Sequence, residues 1–327
     1  MAAWAKIRLL LLEPPSRNNR ALGEAGFFYL SFNATEYLVS IGKDFIGPFR
    51  MLRLIRSGTT TQVWEGLREG EKERVALKVL LADFRRDKFE IDQLKHEARV
   101  GTQLNHPNVI RIYEYYEDQG YPLLSLQLLS ARNLKIEMRE RPEVLAENMA
   151  VVINGAAKGL AHLHEKGWIH CDIKPDNYLA DEQGSVKLID FSIARKAKGK
   201  GLMGLFPNKT KTIQGTRSYL SPEQIRRKHL DTRADIYGFG CMLYEMLSGR
   251  TPFTANTPDE LLSKHLSAPI PNVQSVSGAS TEMAELIMKM MAKKPDNRIQ
   301  TMHDFIAIFR KTNVYRPQAR PQNFKRL

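Results

Sequence analysis

The hydrophobic periodicity of this chain changes once along its length, and that change limits the fold more than any other feature. From Phe49 to about residue 129, short runs rich in β-branched and aliphatic residues, such as RVALKVLL, are separated by polar or glycine-containing turns. From about residue 143, apolar residues recur at helical spacing, and the run ADIYGFGCMLYEMLSG is typical of a buried helix. Strands followed by helices predict an α+β protein with two lobes.

The β-rich part is predicted to form a mostly antiparallel sheet of five strands with one helix. The strands correspond to the runs FRMLRLI, TQVWEGLRE, RVALKVLL, VIRIYEYYE and YPLLSLQLL. A charged amphipathic helix over residues 87–104 falls between the third and the fourth of them. The chain has 327 residues, of which 43% are hydrophobic, so it is long enough to bury the cores of two lobes.

A short polar loop, HCDIKPDN at residues 170–177, carries a carboxylate, an ammonium group and an amide at Asp172, Lys174 and Asn177. A second carboxylate, Asp190, follows in VKLIDFS. Phosphoryl transfer needs a group that orients a hydroxyl, a cation near the transferred phosphate and oxygen ligands for Mg²⁺. These four side chains fit that need. The structural alternative, a turn rich in Asp and Asn, does not account for Asp190-Phe191 at this interval.

The order H-x-D-x-K-P-x-N followed by D-F resembles the catalytic and metal-binding loops of Hanks-type Ser/Thr protein kinases. The resemblance covers about residues 49 to 312, and it includes GTRSYLSPE at residues 215–223, which is similar to the end of a kinase activation loop. It implies a two-lobed protein-kinase-like α+β fold, with a small β-rich lobe and a larger, mainly helical lobe. The implied divisions are a poorly ordered extension at 1–48, the N-lobe at 49–129, the C-lobe at 130–312 and a basic tail at 313–327.

The same resemblance implies an enzyme that transfers the γ-phosphoryl group of ATP, with Mg²⁺, to Ser/Thr hydroxyls of protein substrates. In such a kinase, Asp172 would orient the acceptor hydroxyl and Lys174 would neutralise charge near the γ-phosphate. Asn177 and Asp190 would be the magnesium ligands. The alternative is a pseudokinase, which has the fold but serves as a binding or scaffolding module.

The same resemblance implies three structural links. Thr216 would bond to Asp172 and Lys174, and Glu223 would pair with Arg298. Asp235, at the start of the predicted buried helix, would accept hydrogen bonds from the backbone of the polar loop.

A lysine inside an apolar strand, such as Lys78 in VALKVL, is costly unless it is paired. Glu97 on the following helix is its natural partner, and the resemblance implies that Lys78 holds the α- and β-phosphates of ATP while Glu97 positions the lysine. Taken singly, the apolar residues assigned to the adenine pocket would more often be core residues, and only their register assigns them. The further residues implied for ATP binding are Gly58, Val63, Ala76, Leu126, Gln127, Leu129 and Leu179, with Gln127 to Leu129 as the hinge.

The glycine-rich loop that covers the phosphates in this family is represented here by Gly58 alone. Arg56 and Thr61 stand where the first and third glycines would be. Side chains restrict close approach of the backbone to phosphate, so weaker ATP binding is predicted, and restoring both glycines should lower the Michaelis constant for ATP. The other interpretation is that Arg56 or the threonine hydroxyls contact the phosphates themselves.

Three further positions depart from the family pattern. Cys171 replaces an arginine that commonly grips a phosphate on the activation loop, so phosphorylation of Thr210 or Thr212 is expected to change activity only a few-fold. Ser192 replaces the glycine that follows Asp-Phe, which restricts the backbone there. Gly101, four residues after Glu97, is expected to leave a gap that could loosen the helix.

The formal net charge is +13, and part of the excess lies in two segments without acidic residues, 193–212 and 312–327. Basic segments of this kind attract acidic protein substrates and phosphates, although solvated loops are the structural alternative. No DNA- or RNA-binding motif accompanies them, so a nucleic-acid partner is disfavoured.

Cysteine use and hydropathy bear on the cellular compartment. The two cysteines, Cys171 and Cys241, provide no disulfide framework and predict reduced thiols in the cytoplasm. No apolar run approaches the roughly 18 residues needed to span a bilayer, so no membrane partner is expected. The apolar run at residues 7–12 is too short and poorly flanked for a signal peptide.

Overall fold

The computed structural model describes residues 44–197 and 214–317. Most of the predicted N-terminal extension, the basic segment that contains Thr210 and Thr212, and most of the basic tail lie outside the described residues. The described part has a β-rich first portion and a helical second portion, as the change in periodicity predicts.

The first portion contains an antiparallel sheet of six strands in the order β1-β2-β3-β4-β6-β5. Five of them correspond to the predicted runs. The sixth is a two-residue strand ahead of Phe49, which pairs with the start of the next strand. The strands are β1 Phe45–Ile46, β2 Phe49–Ser57, β3 Thr61–Arg68, β4 Arg74–Leu80, β5 Ile112–Asp118 and β6 Tyr121–Gln127.

The predicted helix of this lobe, α1, spans Lys88–Gly101 and carries Glu97. It begins where the Asp87 side chain accepts hydrogen bonds from the backbone N–H groups of Phe89 and Glu90, which would otherwise be unsatisfied. One face of the sheet has its own small core around Trp64 and Leu77. Leu94 and Ala98 of α1 belong to the larger core, which continues into the second lobe.

The second lobe is built from helices, with short strands around the polar loop. The helices are α2 Leu134–Glu140, α3 Pro142–Glu147, α4 Met149–Glu165, α5 Pro222–Ile225, α6 Arg233–Ser248, α7 Pro258–Ser267, α8 Thr281–Met290 and α9 Met302–Phe309. The short strands are β7 Arg132–Asn133, β8 Trp168–Ile169, β9 Tyr178–Ala180, β10 Val186–Leu188 and β11 Arg195–Lys196. Strands β10, β9 and β7 form one small sheet, and β11 pairs with β8.

Helix α6 is the predicted buried helix, and it forms the centre of this lobe. Every residue from Ala234 to Leu247 is buried, and α8 packs beside the helix. The helix ends at Gly249, whose left-handed backbone (φ 75°) provides the turn that a glycine allows at low cost. Because α6 is enclosed on all sides, it is a rigid base for the loops that contact its first turn.

The chain after α9 contributes to the same lobe before the described residues end. Val314 is 8% exposed, and Tyr315 forms a β-bridge with Ala279. The first residues of the predicted tail therefore pack against the lobe. No helix within residues 44–197 and 214–317 is long and apolar enough to cross a membrane.

The gap expected beside Gly101 is not present, because a neighbouring side chain fills the space. A β-carbon added to Gly101 would lie 2.2 Å from Cδ1 of Ile112 on β5. Ile112 itself is 2% exposed and belongs to the main core. The glycine at this position lets β5 approach α1 closely, so the helix that carries Glu97 is packed and not loosened.

This packing leads to a stability prediction. Replacing Gly101 by leucine should destabilise the protein by about 1–3 kcal/mol, because the added side chain competes with Ile112 for the same volume. Thermal or urea unfolding would measure the change. A smaller residue at the facing position, in the double variant Gly101→Leu, Ile112→Ala, should recover part of the loss. An unchanged unfolding midpoint in Gly101→Leu would contradict the observed packing.

Candidate active site

The side chains of Lys78, Glu97 and Asp190 meet between the two lobes, although they come from β4, α1 and the segment after β10. Lys78 Nζ lies 2.6 Å from Oε2 of Glu97 and 3.8 Å from Oδ1 of Asp190. The Glu97 side chain is 3% exposed, whereas that of Asp190 is 36% exposed. The ion pair predicted from the apolar surroundings of Lys78 is therefore formed, and Asp190 is its solvent-facing neighbour.

The electrostatics of this cluster keep both Lys78 and Asp190 charged. Burial alone would lower the pKa of Lys78, but the carboxylates of Glu97 and Asp190 outweigh it and raise the pKa above its usual value. For Asp190, burial opposes ionisation, yet the Lys78 ammonium and hydrogen bonding from Ser192 lower the pKa to about 2. The site thus presents a fixed cation and a fixed carboxylate oxygen side by side at neutral pH.

The polar loop at residues 170–177 is anchored from beneath by the first turn of α6. Asp235 accepts hydrogen bonds from the backbone N–H groups of His170 (2.7 Å) and Cys171 (2.8 Å). His164 on α4 lies 2.8 Å from the same carboxylate. These bonds account for a buried carboxylate, and they set the position of Asp172, the next residue along the chain.

Asp172 is held by contacts at both carboxylate oxygens. Its Oδ1 accepts a hydrogen bond from the Thr216 backbone N–H (2.8 Å), and its Oδ2 lies 2.6 Å from Lys174 Nζ. Lys174 in turn donates to the Thr216 hydroxyl at 2.7 Å. The loop and the GTRSYLSPE segment are thereby joined at one point, which the resemblance predicted for Thr216. A carboxylate fixed in this way can accept the proton of a hydroxyl placed beside it.

Asn177 is oriented by the same carboxylate, and its orientation leaves an oxygen available. Its Nδ2 donates to the backbone carbonyl of Asp172 at 2.8 Å and to Oδ2 of Asp172 at 3.2 Å. With the amide nitrogen so engaged, Oδ1 has no hydrogen-bond donor among the residues that the structure describes. Those residues contain no group of three or more His, Cys, Asp and Glu side chains able to hold a metal ion. Asp190 and Asn177 could hold a metal only together with oxygens from a ligand or water.

The residues predicted to surround adenine lie on the strands around this cluster. Val63 on β3 is directly opposite Lys78, and Ala76 on β4 is opposite Leu126 on β6. Leu179 lies on β9 in the other lobe and is partly exposed. Val63, Ala76 and Leu126 thus lie on the strands next to Lys78, whereas Leu179 would be contributed by the other lobe.

The predicted hinge follows β6. The Gln127 N–H donates to the carbonyl of Arg111 at 2.8 Å, so it is already satisfied. By contrast, the N–H and C=O of Leu129 have no hydrogen-bond partner within the described residues. Gly58 lies in the turn between β2 and β3, where its N–H donates to the Thr61 carbonyl at 2.8 Å. The free backbone groups of Leu129 are available to a planar heterocycle with a donor and an acceptor edge.

Phe191 connects the Asp190 segment to the polar loop. Its side chain is fully buried, and its ring packs edge-to-face on that of His170 with centroids 5.8 Å apart. Nε2 of His170 lies 3.1 Å from the carbonyl oxygen of Ile189. On the other side, His96 of α1 lies 2.7 Å from the Ala194 carbonyl. Helix α1, the Asp190 segment and the polar loop are therefore packed as one unit.

The predicted pair between Glu223 and Arg298 forms below the end of the GTRSYLSPE segment. Arg298 donates from both guanidinium Nη atoms to the two carboxylate oxygens, at 2.6 and 2.8 Å. The arginine side chain is fully buried and the glutamate side chain is 8% exposed. This bidentate pair fixes the helix that follows Ser221 to the base of the lobe.

Two residues that bear on the site were not singled out from the sequence. Gln224 donates from its side chain to the Cys171 carbonyl at 2.8 Å, which ties the GTRSYLSPE segment to the polar loop a second time. Ile55 is 45% exposed at a register shift in β2, next to the row that contains Val63. The sequence signal for Ile55 was only an apolar residue in a strand, because a shift in register is not visible in the sequence.

Cys171 occupies a strained and buried position within the polar loop. Its backbone has a φ of 70°, which is uncommon for a residue with a side chain, and Asp190 has a similar φ of 65°. The thiol is 5% exposed, and burial together with the Asp235 carboxylate raises its pKa well above the usual range. Cys241 on α6 is also free and fully buried.

These environments predict that neither thiol reacts in the folded protein. A thiolate is the reactive form, and both thiols are kept protonated and enclosed. Titration with a coloured disulfide reagent should detect no fast-reacting thiol in the native protein and two in guanidinium chloride. Rapid native labelling of Cys171 would contradict the enclosed position of its side chain.

Comparison with known proteins agrees with this geometry. The family model of the protein kinase domain matches residues 49–307 of the chain. The Ser/Thr-protein kinase PknL of Mycobacterium bovis is 33% identical over 245 residues, which are 75% of this chain and 60% of that protein. PknB of Mycobacterium tuberculosis, also a Ser/Thr-protein kinase, is 34% identical over 232 residues, covering 69% of this chain and 37% of PknB.

A third relative is also a Ser/Thr-protein kinase. The Ser/Thr-protein kinase PknH of Mycobacterium bovis is 30% identical over 259 residues, which are 79% of this chain and 43% of PknH. The matched region thus spans 60% or less of the length of these relatives. The similarity lies in the part of each protein that aligns with the two lobes described here.

Proposed function

The chain belongs to the protein kinase family, and on that premise we propose that it transfers the γ-phosphoryl group of ATP to Ser/Thr hydroxyls of protein substrates. The observation that carries the proposal is the convergence of two charged groups of residues between the lobes. One is the Lys78–Glu97–Asp190 cluster, and the other is Asp172 with Lys174. Phosphoryl transfer depends on positioning and charge neutralisation, and these residues provide both.

On the nucleotide side, Lys78 binds the α- and β-phosphates. Glu97 holds the ammonium at 2.6 Å, which reduces the entropy that the long side chain would lose on binding. Val63 and Ala76 cover one face of adenine and Leu179 covers the other, while Leu126 lies at the back of the pocket. The Gln127 carbonyl and the unpaired backbone groups of Leu129 form hydrogen bonds with the adenine edge.

Use of ATP with a divalent metal is general for the protein kinase domain, and we assign Mg²⁺ here. The donor set fits this ion, because a carboxylate with a pKa of about 2 and a free amide oxygen are hard ligands. Asp190 and Asn177 would hold it. A bound Mg²⁺ would supply positive charge that neutralises phosphate oxygens. The described residues supply too few ligands by themselves, so phosphate and water oxygens would complete the coordination.

On the acceptor side, Asp172 orients the hydroxyl of the substrate and accepts its proton. Its carboxylate is fixed by Thr216 and Asn177, so little reorganisation is needed when the hydroxyl binds. Lys174 lies between Asp172 and Thr216 and is 20% exposed, so its ammonium can face the transferred phosphate. Because Asp172, Lys174 and Thr216 contact one another, they form one continuous surface on which a serine or threonine of a substrate can bind.

A binding or scaffolding role without catalysis is the alternative, and two observations weigh against it. The Lys78–Glu97 ion pair is formed, and the helix that carries Glu97 is packed against Ile112. In the polar loop, no catalytic side chain is replaced by an inert one. The departures from the family pattern, in the phosphate loop and at Cys171, Ser192 and Gly101, leave these charged side chains in place.

The partners that we propose are protein substrates, acidic ones among them, because the chain carries a formal net charge of +13. We propose no nucleic-acid partner, since the sequence carries no motif for one. Two free, buried cysteines support a reducing compartment such as the cytoplasm.

The test is incubation of the purified protein with Mg²⁺ and radiolabelled ATP, beside a basic and an acidic protein acceptor. Label should appear on serine or threonine of an acceptor or of the protein itself. The matched control is the Asp190→Ala variant, which should give background incorporation. A wild-type protein that binds ATP but labels nothing under any of these conditions would instead support the scaffolding role.

A further inference from the structure

We propose that the Arg56 guanidinium binds a phosphate of the nucleotide, in place of the backbone contacts that the missing glycines would provide. This inference rests on the proposed function, because it takes ATP as the ligand of the site. Arg56 stands where the family has the first glycine of its phosphate loop. The sequence allows two interpretations of this position, weaker ATP binding or a direct phosphate contact, and the strand register favours the contact.

The register places Arg56 in one row with Lys78. Arg56 on β2 is directly opposite Val63 on β3, and Val63 is directly opposite Lys78 on β4. Residues directly opposite each other in antiparallel strands project from the same face of a sheet. The two cations are therefore two strands apart on one face, with Cα atoms separated by roughly 10 Å. That face is the one on which Lys78 meets Glu97 and Asp190.

The other face of the sheet is covered by the small core around Trp64 and Leu77. This agrees with Arg56, Val63 and Lys78 projecting from the opposite face. Trp64, Leu77 and Val79 are the sequence neighbours of Val63 and Lys78, and they form the separate small core. Leu54, before the register shift in β2, packs against that same core. The shift between Leu54 and Arg56 turns Arg56 away from it. Without this shift, Arg56 would project from the same face as Leu54, away from Lys78.

Arg56, like Arg50 at the other end of β2, has no carboxylate partner within the described residues, and this sets both apart from the other arginines of the sheet. Arg53 and Arg74 are both paired with Glu65, and Arg68 is paired with Glu114. Arg56 has no ion pair and no side-chain hydrogen bond within the described part of the chain. Its charge is close enough to Lys78 to oppose the raised pKa of that lysine. Glu97 and Asp190 already lie beside Lys78, whereas the charge of Arg56 has no carboxylate beside it, so an anion between the two cations would be attracted by the uncompensated charge of Arg56.

The turn beyond Arg56 supports the same arrangement. Gly58 donates to the Thr61 carbonyl, and Leu81 donates to the Thr60 carbonyl, both at 2.8 Å. The hairpin tip is thus fixed by its own hydrogen bonds and by the end of β4. A side chain at its base can reach a phosphate without the close backbone approach that glycines allow. An arginine does so with a planar fork of donors that matches phosphate oxygens.

The test is a binding titration of the full chain with Mg²⁺ and three ligands: a non-hydrolysable ATP analogue, ADP and adenosine. Arg56→Ala should weaken binding of the ATP analogue about tenfold, as expected for one partly exposed charge-assisted hydrogen bond. Adenosine binding should not change, because adenosine carries no phosphate. The loss should shrink as ionic strength rises, since the contact is between charges. Arg56→Lys should retain part of the affinity.

Arg50→Ala is the matched control, because it removes an exposed arginine from the other end of the same strand. It should bind all three ligands as the wild type does. The double variant Arg56→Gly, Thr61→Gly, expected from the sequence to bind ATP more tightly, should now bind it more weakly. A loss confined to the ATP analogue supports the proposal and assigns the contact to the γ-phosphate, whereas a loss shared by ADP assigns it to the other phosphates.

Two outcomes would overturn the inference. One is Arg56→Ala binding the ATP analogue no more weakly than Arg50→Ala does, and the other is an equal loss for adenosine, which would indicate a structural effect on the pocket. Neither outcome would affect the proposed function if the wild-type protein still transfers phosphate to an acceptor. Failure of the proposed function would appear separately, as wild-type protein that transfers no phosphate.

Discussion

Replacing Asp190 by alanine is expected to lower phosphotransfer by on the order of 10²-fold or more. Asp190 combines the most exposed carboxylate of the Lys78 cluster with a pKa of about 2, so the charge that it provides is present at every physiological pH. Removing that carboxylate takes away one of the two side chains, Asp190 and Asn177, that we propose as metal ligands. Initial rates of label incorporation from ATP, at saturating acceptor, would measure the effect.

The control must separate the loss of charge from a change in backbone. Asp190 has a φ of 65°, which alanine adopts less readily than aspartate or asparagine does. Asp190→Asn keeps the shape and the backbone preference but removes the charge, so it should lose activity with an unchanged unfolding midpoint. Wild-type rates in either variant would remove Asp190 from the mechanism.

Asp172→Asn should cause a loss of similar order for a different reason. An amide at this position cannot accept the proton of the acceptor hydroxyl, and its NH₂ group would face the donors at Lys174 and Asn177. The loss should appear in kcat and leave binding of ATP nearly unchanged, because Asp172 contacts the acceptor side. A large fall in nucleotide affinity would contradict that division between the two sides of the site.

Local motifs made the chemistry of the site predictable from the sequence. Asp172, Lys174 and Asn177 lie within one short loop, so their proximity follows from chain connectivity. The ion pair of Lys78 with Glu97 was predictable because an unpaired lysine in an apolar strand is costly. The links of Asp235 to the loop and of Arg298 to Glu223 came only from the resemblance, since 64 and 75 residues separate the partners.

What could not be predicted depends on how surfaces fit together in three dimensions. Gly101 suggested an unfilled space beside α1, but the side chain of Ile112 occupies that space. The periodicity of a sequence does not show which strand packs against a given helix. The meaning of Arg56 depends on a register shift in β2, which turns its side chain to the other face. A shift of one residue reverses the face of every side chain beyond it, so the sequence could not decide whether Arg56 weakens ATP binding or contacts a phosphate.

A large effect on the free energy of unfolding is expected when Arg298 is replaced. Arg298→Ala should destabilise the protein by about 3–5 kcal/mol, because it leaves the Glu223 carboxylate buried without its partner. The substitution also removes hydrogen bonds to the carbonyl oxygens of Ala292 and Arg233, at 2.7 and 2.8 Å. For a domain of this size the thermal midpoint should fall by on the order of 10 °C. Differential scanning calorimetry or urea unfolding would measure it.

An exposed ion pair in the same region provides the matched control. Arg233 also pairs with Asp296, whose side chain is 88% exposed, and exposed pairs contribute at most about 1 kcal/mol. Asp296→Ala should therefore shift the midpoint by only a few degrees. Adding Glu223→Gln to Arg298→Ala should recover part of the loss, because a neutral amide is less costly to bury than an unpaired carboxylate. If Arg298→Ala unfolded no earlier than Asp296→Ala, the buried pair would not be what fixes the GTRSYLSPE segment to the base of the lobe.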